Sequence, residues 1–108
     1  MPFTFTAGSV VSFNSRKGND GISLSPPAGI AEGDLMLAFQ MRDFDDGSFT
    51  VPSGWNEVMQ KKRSGGEPYQ IAIMSKYAGA SEGATTFLHS DTFADQWAGL
   101  IVRVEGTH

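Results

Sequence analysis

The sequence contains no cysteine, which excludes disulfides and thiolate metal sites. It also lacks a run approaching the ~20 apolar residues of a membrane-spanning helix, and residues 1–15 carry no charged side chain. A signal peptide is therefore not predicted, and a membrane is not an expected partner. Basic residues are few, with 8 against 12 acidic residues and a net charge of −4. Since proteins that neutralise phosphates usually have the opposite balance, nucleic acid is not an expected partner either.

Helical periodicity is missing as well, because no eleven-residue window places apolar side chains at i, i+3, i+4 and i+7 behind a cap. Alternation of period two is frequent, and glycine-containing turn signals separate the alternating segments. This pattern predicts an all-β chain: an antiparallel β-sandwich, jelly-roll-like, with about eight strands, forming one domain over residues 1–108. Met1 favours a free-standing gene product. The predicted strands cover residues 2–6, 9–14, 20–25, 34–42, 56–62, 68–77, 84–90 and 96–105.

The strongest predicted strand is "DLMLAFQMR", residues 34–42. One face is apolar and the other begins apolar and ends polar, which is typical of a strand in the middle of a sheet. One face holds Leu35, Leu37, Phe39 and Met41, and the other holds Met36, Ala38, Gln40 and Arg42. By contrast, residues 56–62 are polar and include two lysines, so we expect an edge strand there.

A tryptophan directly follows a turn in "VPSGWNEV", residues 51–58. Pro52 suits position i+1 of a type I turn, which would place Gly54 at position i+3 and fix where Trp55 leaves the backbone. Two interpretations stay open for Trp55. The ring either closes the core of the sandwich or serves as an aromatic platform for a ligand or partner.

Candidate chemistry is sparse. Asp43, Asp45 and Asp46 precede a glycine and are weak calcium-ligand candidates, but their spacing does not fit an EF-hand, so a solvated hairpin tip is the simpler interpretation. His89 is flanked by Ser90, but neighbours in a strand point to opposite faces and do not form a triad by themselves. We therefore expect His89 at the surface or rim. The sequence predicts no catalytic residue, no cofactor and no enzymatic activity.

Four phrases occur in a suggestive order: "AEGDLMLAFQ" (31–40), "VPSGWNEV" (51–58), "SKYAGASEGATTF" (75–87) and "LIVRVEG" (100–106). This order resembles a β-sandwich module of tailed-bacteriophage virion proteins and some bacterial surface proteins. The resemblance implies a structural role in a virion and supplies no catalytic residues. Because the chain is little longer than the module, a capsid decoration or cement protein is favoured over a tail fibre. The matching positions are Gly33, Asp34, Pro52, Gly54, Trp55, Lys76, Ala78, Gly79, Glu82, Arg103 and Gly106.

This hypothesis carries several expectations. The partners would be the major capsid protein or other virion proteins, the chain would form a homo-oligomer, and it would be found in the virion after assembly in the host cytoplasm. Phe3 and Phe5 in "PFTFT" would belong to an arm that adds to a neighbour's sheet, or to an ordinary first strand.

The alternative function is a carbohydrate-binding or host-attachment module. In that case Trp55, Tyr69 or Tyr77 would stack on sugar rings, and Asp43 or Asp45 would accept hydrogen bonds from sugar hydroxyls.

Overall fold

The computed structural model describes residues 4–16, 20–43, 46–90 and 95–105. These residues form nine strands and no helix, which confirms the prediction of an all-β sandwich. No helix capable of crossing a membrane occurs in this part of the chain. The strands are β1 (Thr4–Ala7), β2 (Val11–Arg16), β3 (Ile22–Leu24), β4 (Leu35–Asp43), β5 (Phe49–Thr50), β6 (Asn56–Arg63), β7 (Tyr69–Tyr77), β8 (Thr85–His89) and β9 (Asp95–Glu105).

Two antiparallel sheets make up the sandwich. The large sheet has the order β1-β9-β4-β7-β6, and β2 also pairs with β9, so β1 and β2 share one edge. The small sheet has the order β3-β8-β5. The strand missed by the sequence patterns is β5, because a two-residue strand shows no periodicity.

The pairing of the strands is nested. β2 pairs with β9, β3 with β8 and β4 with β7, as if one long hairpin had been folded over between the two layers. A side chain completes the series between β5 and β6, since Gln60 accepts a hydrogen bond from the Phe49 N–H at 3.0 Å and donates one to the Phe49 carbonyl at 2.8 Å. This connectivity is jelly-roll-like, with the difference that β6 pairs with β7 in the large sheet.

Strand β4 lies in the middle of the large sheet, between β7 and β9, as its sequence predicts. The edge prediction also holds, because β6 pairs with β7 alone among the described strands. The face of β4 that points into the sandwich carries Met36, Ala38, Gln40 and Arg42. The larger apolar side chains of β4 therefore point outward.

The core lies between the inner face of the large sheet and the small sheet. Its largest apolar members, each at most 1 % exposed, are Trp97, Phe87, Ile22, Leu24, Met36, Met74 and Ile101. The sheets approach closely at Gly99, where a Cβ would lie 2.9 Å from the Phe39 carbonyl oxygen and 3.0 Å from the Leu24 side chain. A side chain at this position would therefore clash with the backbone of the neighbouring strand β4 and crowd Leu24 of the small sheet.

Two local expectations need correction. The turn before Trp55 has Gly54 at position i+2 rather than i+3, because the Trp55 N–H bonds the Pro52 carbonyl at 3.1 Å and Gly54 has a φ of +86°. This is the geometry of a type II turn, which requires a glycine-like residue at that position. Of the two interpretations of "PFTFT", the structure shows the ordinary first strand, because β1 pairs with β9 of its own chain. Phe3 lies outside the described residues.

Candidate interaction surface

Most of the residues that carry the phage-module resemblance meet at one corner of the large sheet, where β4 begins. Asp34 Oδ2 accepts the Ala31 N–H at 2.9 Å and the Arg103 Nε–H at 2.8 Å. The backbone of Gly33 and Asp34 exchanges two hydrogen bonds of 2.8 Å with Ala78. These contacts join β4, β7 and β9 at their ends.

Glu82 holds the neighbouring loop in the same corner. Its side chain, 7 % exposed, accepts the Gly79 N–H at 2.7 Å and forms an ion pair with Lys76 Nζ at 3.1 Å. The Gly79 hydrogen bond, and then the lysine, lower the pKa of Glu82 from its ordinary value of 4.5, although partial burial opposes them. These residues around Asp34 and Glu82 thus act as a structural clamp.

Trp55 belongs to the core. The residue is 6 % exposed, and its ring packs edge-on against Phe87 with centroids 5.3 Å apart. The ring is not available to stack on a sugar, so the interpretation of Trp55 as a ligand platform is wrong. Its position directly after the turn lets it close the sandwich beside the clamp.

A buried polar cluster occupies the opposite end of the sandwich. Trp97 donates its indole N–H to Gln40 Oε1 at 3.2 Å, and the Arg42 guanidinium lies 4.9 Å from the Trp97 ring centroid. His89 Nε2 lies 3.0 Å from Gln70 Oε1. His89 is 4 % exposed, so the expectation of a surface histidine is wrong. Its hydrogen bond to a residue from the other layer allows the imidazole to be buried.

The acidic stretch does not form a gathered site in the described residues. Asp43 and Asp46 are both exposed, and the Asp46 carbonyl accepts a 2.6 Å hydrogen bond from Gln70. Asp45 lies outside the described residues. Within the described ranges, no three His, Asp or Glu side chains come together in a way that could hold a metal ion.

The remaining large feature is the face of the large sheet that points away from the small sheet, which we call the outer face. Strand register places its side chains together across β1, β9, β4, β7 and β6. They stay outside the core cluster, and the small sheet covers only the opposite face of the described structure. The apolar members are Phe5, Ala7, Leu35, Leu37, Phe39, Met41, Met59, Tyr69, Ile71, Ile73, Tyr77, Ala98, Leu100, Val102 and Val104.

Several of these side chains project strongly into solvent. Phe5 is 67 % exposed, Tyr77 64 % and Met41 54 %, and Val10, in the connection between β1 and β2, is 68 % exposed. A groove of about 320 Å³ crosses the centre of the face between these projections. Small residues, including Ala98, form part of its lining, and aliphatic and aromatic side chains form most of the remainder.

Among the described residues of the outer face, charged side chains lie only around its rim. Lys61 and Arg63 follow its β6 flank, and Asp43 lies where β4 ends. An apolar centre within a polar rim is the usual composition of a protein–protein interface. A contiguous apolar patch of this extent is rare on a monomeric protein and indicates an interaction site.

The structure places only some of the interaction residues predicted from sequence on the outer face. Phe5, Tyr69 and Tyr77 lie on the outer face, whereas Trp55 does not. Ile71, Ile73 and Leu100 also lie on the outer face, and their exposure was not predicted from the sequence. The available signal was that β4 has apolar residues on both faces, whereas the described residues supply a second layer over one of them.

Comparisons with protein-family models, with curated proteins and with solved structures gave no significant match. The resemblance to a phage module therefore stays a prediction.

Proposed function

We propose that the protein is a non-enzymatic structural subunit of a tailed-phage virion, namely a capsid decoration protein, and that the outer face joins it to its assembly. The observation that carries this proposal is the apolar centre and polar rim of that face. Its partners would be the major capsid protein or other virion proteins. The fold is compatible with this role by analogy, since jelly rolls are frequent in viral capsids, although they also occur in lectins.

The clamp supports the proposal in a second way. Asp34–Arg103 and Glu82–Lys76 tie strand ends and a loop together, so the motif residues serve rigidity rather than catalysis. A rigid module that binds only the assembled shell stabilises it by mass action, by RT ln(1 + [L]/Kd), about 2.7 kcal/mol at a hundredfold excess over Kd.

The test is sedimentation of the purified protein with empty shells of the phage that encodes it, together with the melting temperature of those shells. We expect co-sedimentation and a higher melting temperature. Met41→Lys should reduce binding because it places a charge near the centre of the outer face. Leu88→Lys is the matched control, since Leu88 is 38 % exposed and lies on the small sheet. Absence of wild-type binding at saturating protein would contradict the proposal.

A carbohydrate-binding module is the second candidate, and one observation favours it. Asp43 and Tyr69 are direct partners in the β4–β7 register, and the Arg63 guanidinium lies 6.0 Å from the Tyr69 ring centroid. An exposed ring beside a carboxylate suits a sugar, because the ring stacks on the apolar sugar face and the carboxylate accepts its hydroxyls.

A glycan array tests this second function. Binding that Tyr69→Ala abolishes and Tyr77→Ala retains would support a sugar site at Tyr69, because Tyr77 lies at the other end of β7. An array without hits, or hits that persist in Tyr69→Ala, would contradict it.

A further inference from the structure

We infer that the outer face binds the outer face of a second copy of this chain, so that the unit of assembly is a face-to-face dimer of sandwiches. This inference names a second copy as the direct partner of the outer face, and it rests on the proposed function only in taking that face to be the surface of assembly. The dimer would then contact the shell through its remaining surface, and Met41→Lys would weaken shell binding by dissociating the dimer. Three properties of the face support a second copy: its area, its relief and the placement of its charges.

The area agrees with what a stable dimer needs. Five strand positions spaced by about 4.8 Å give a width of about 24 Å, and nine residues at about 3.3 Å each give a length of about 30 Å. The face therefore covers about 700 Å² per copy, close to the roughly 800 Å² per partner of a standard interface. Stacked sheets pack about 10 Å apart with strands within about 30° of each other, so two such faces can meet along most of this area.

The relief of the face suits a twofold interface. Such an interface joins the same patch on both copies, so one patch must hold both projections and a recess to receive them. Met41 and Val10 project beside the central groove, whose volume of about 320 Å³ is enough for aliphatic side chains of a facing copy. Ala98 leaves room in the groove, because its side chain is a single methyl group.

The placement of charges permits two outer faces to stack and opposes the alternative, in which the β6 edges of two copies pair. In the described structure the centre of the face carries no charged side chain, so two copies can meet without burying an ion. Lys61, Lys62 and Arg63 lie along the β6 edge, and like charges there disfavour pairing between the edges of two copies. Self-association should therefore use the face and not the edge.

Sedimentation equilibrium of the purified chain, without shells, tests the inference. We expect twice the chain mass of 11.6 kDa at about 100 µM. Met41→Lys and Val10→Lys should each weaken the dimer about a hundredfold, because a twofold interface carries every substitution twice and each buried ammonium should cost about tenfold. Both positions are more than half exposed in one copy, so the fold should tolerate them, and an unchanged circular-dichroism spectrum verifies this.

The control Leu88→Lys should leave the dimer intact. A wild-type chain that is monomeric at that concentration would overturn the inference, and so would a dimer that both outer-face variants leave unchanged. The outcome for the proposed function is separate. A monomer that binds shells through the outer face would refute self-association and keep the virion role, whereas a dimer that ignores shells would keep self-association and refute that role.

Discussion

Replacing Trp55 with alanine removes the ring that closes the sandwich beside the clamp, and the structure allows the cost to be worked out. A tryptophan buries roughly 150–250 Å², and the residue is only 6 % exposed. At about 25 cal/mol per Å², that burial is worth roughly 4–6 kcal/mol as an upper limit. The edge-on contact with Phe87 adds about 0.5–1.5 kcal/mol. Since alanine keeps part of the burial and the cavity relaxes, we expect a loss of about 3–5 kcal/mol.

Urea denaturation followed by far-UV circular dichroism measures this loss, and Val58→Ala is the control. Val58 is 56 % exposed and does not belong to the outer face, so its truncation should change the free energy of unfolding by less than about 0.5 kcal/mol. A domain of this size typically has a free energy of unfolding of about 5–15 kcal/mol, so Trp55→Ala should be only marginally stable. A loss below about 1 kcal/mol for Trp55→Ala would refute the placement of this ring in the core.

Two further predictions concern the close approach of the sheets and the clamp. Gly99→Ala should destabilise by about 1–3 kcal/mol because its Cβ meets the rigid Phe39 carbonyl, whereas Gly83→Ala, with no atom within 4 Å of its Cβ, should be neutral in the same urea titration. The lowered pKa of Glu82 means that its contribution to stability is complete above its ordinary pKa of 4.5 and is lost as the pH falls through the folded-state value. Glu82→Gln, which keeps an acceptor for the Gly79 N–H but no charge, should therefore cost about 1 kcal/mol at neutral pH and less at about pH 3, and a difference independent of pH would contradict this.

The alternation of apolar residues was enough to predict the sandwich and the central place of β4. It was not enough to say which face of β4 is buried. Leu35, Leu37 and Phe39 are larger and more apolar than Gln40 and Arg42, yet the latter pair points into the core. The difference is decided by the position of the small sheet and by side-chain partners on distant strands, and neither is encoded in the local pattern.

The same limit explains the errors around the candidate sites. His89 is buried because Gln70, nineteen residues away, meets its imidazole, and a local pattern cannot show that contact. The Pro-Ser-Gly sequence predicted a turn, but its type depended on which residue adopts a positive φ, and that residue is Gly54. The outer face was missed because its apolar residues have the same spacing as core residues, so the pattern alone does not say which apolar face stays uncovered.

The nested pairing also determines the order in which strands can join the large sheet. Strand β9 is the last described strand along the chain, yet it lies inside the large sheet, between β4 and the β1–β2 edge. During synthesis the position beside β4 therefore stays empty until β9 has been made, and only then can the large sheet close. Deleting that one strand would leave β1 and β2 without their strand partner and expose the edge of β4.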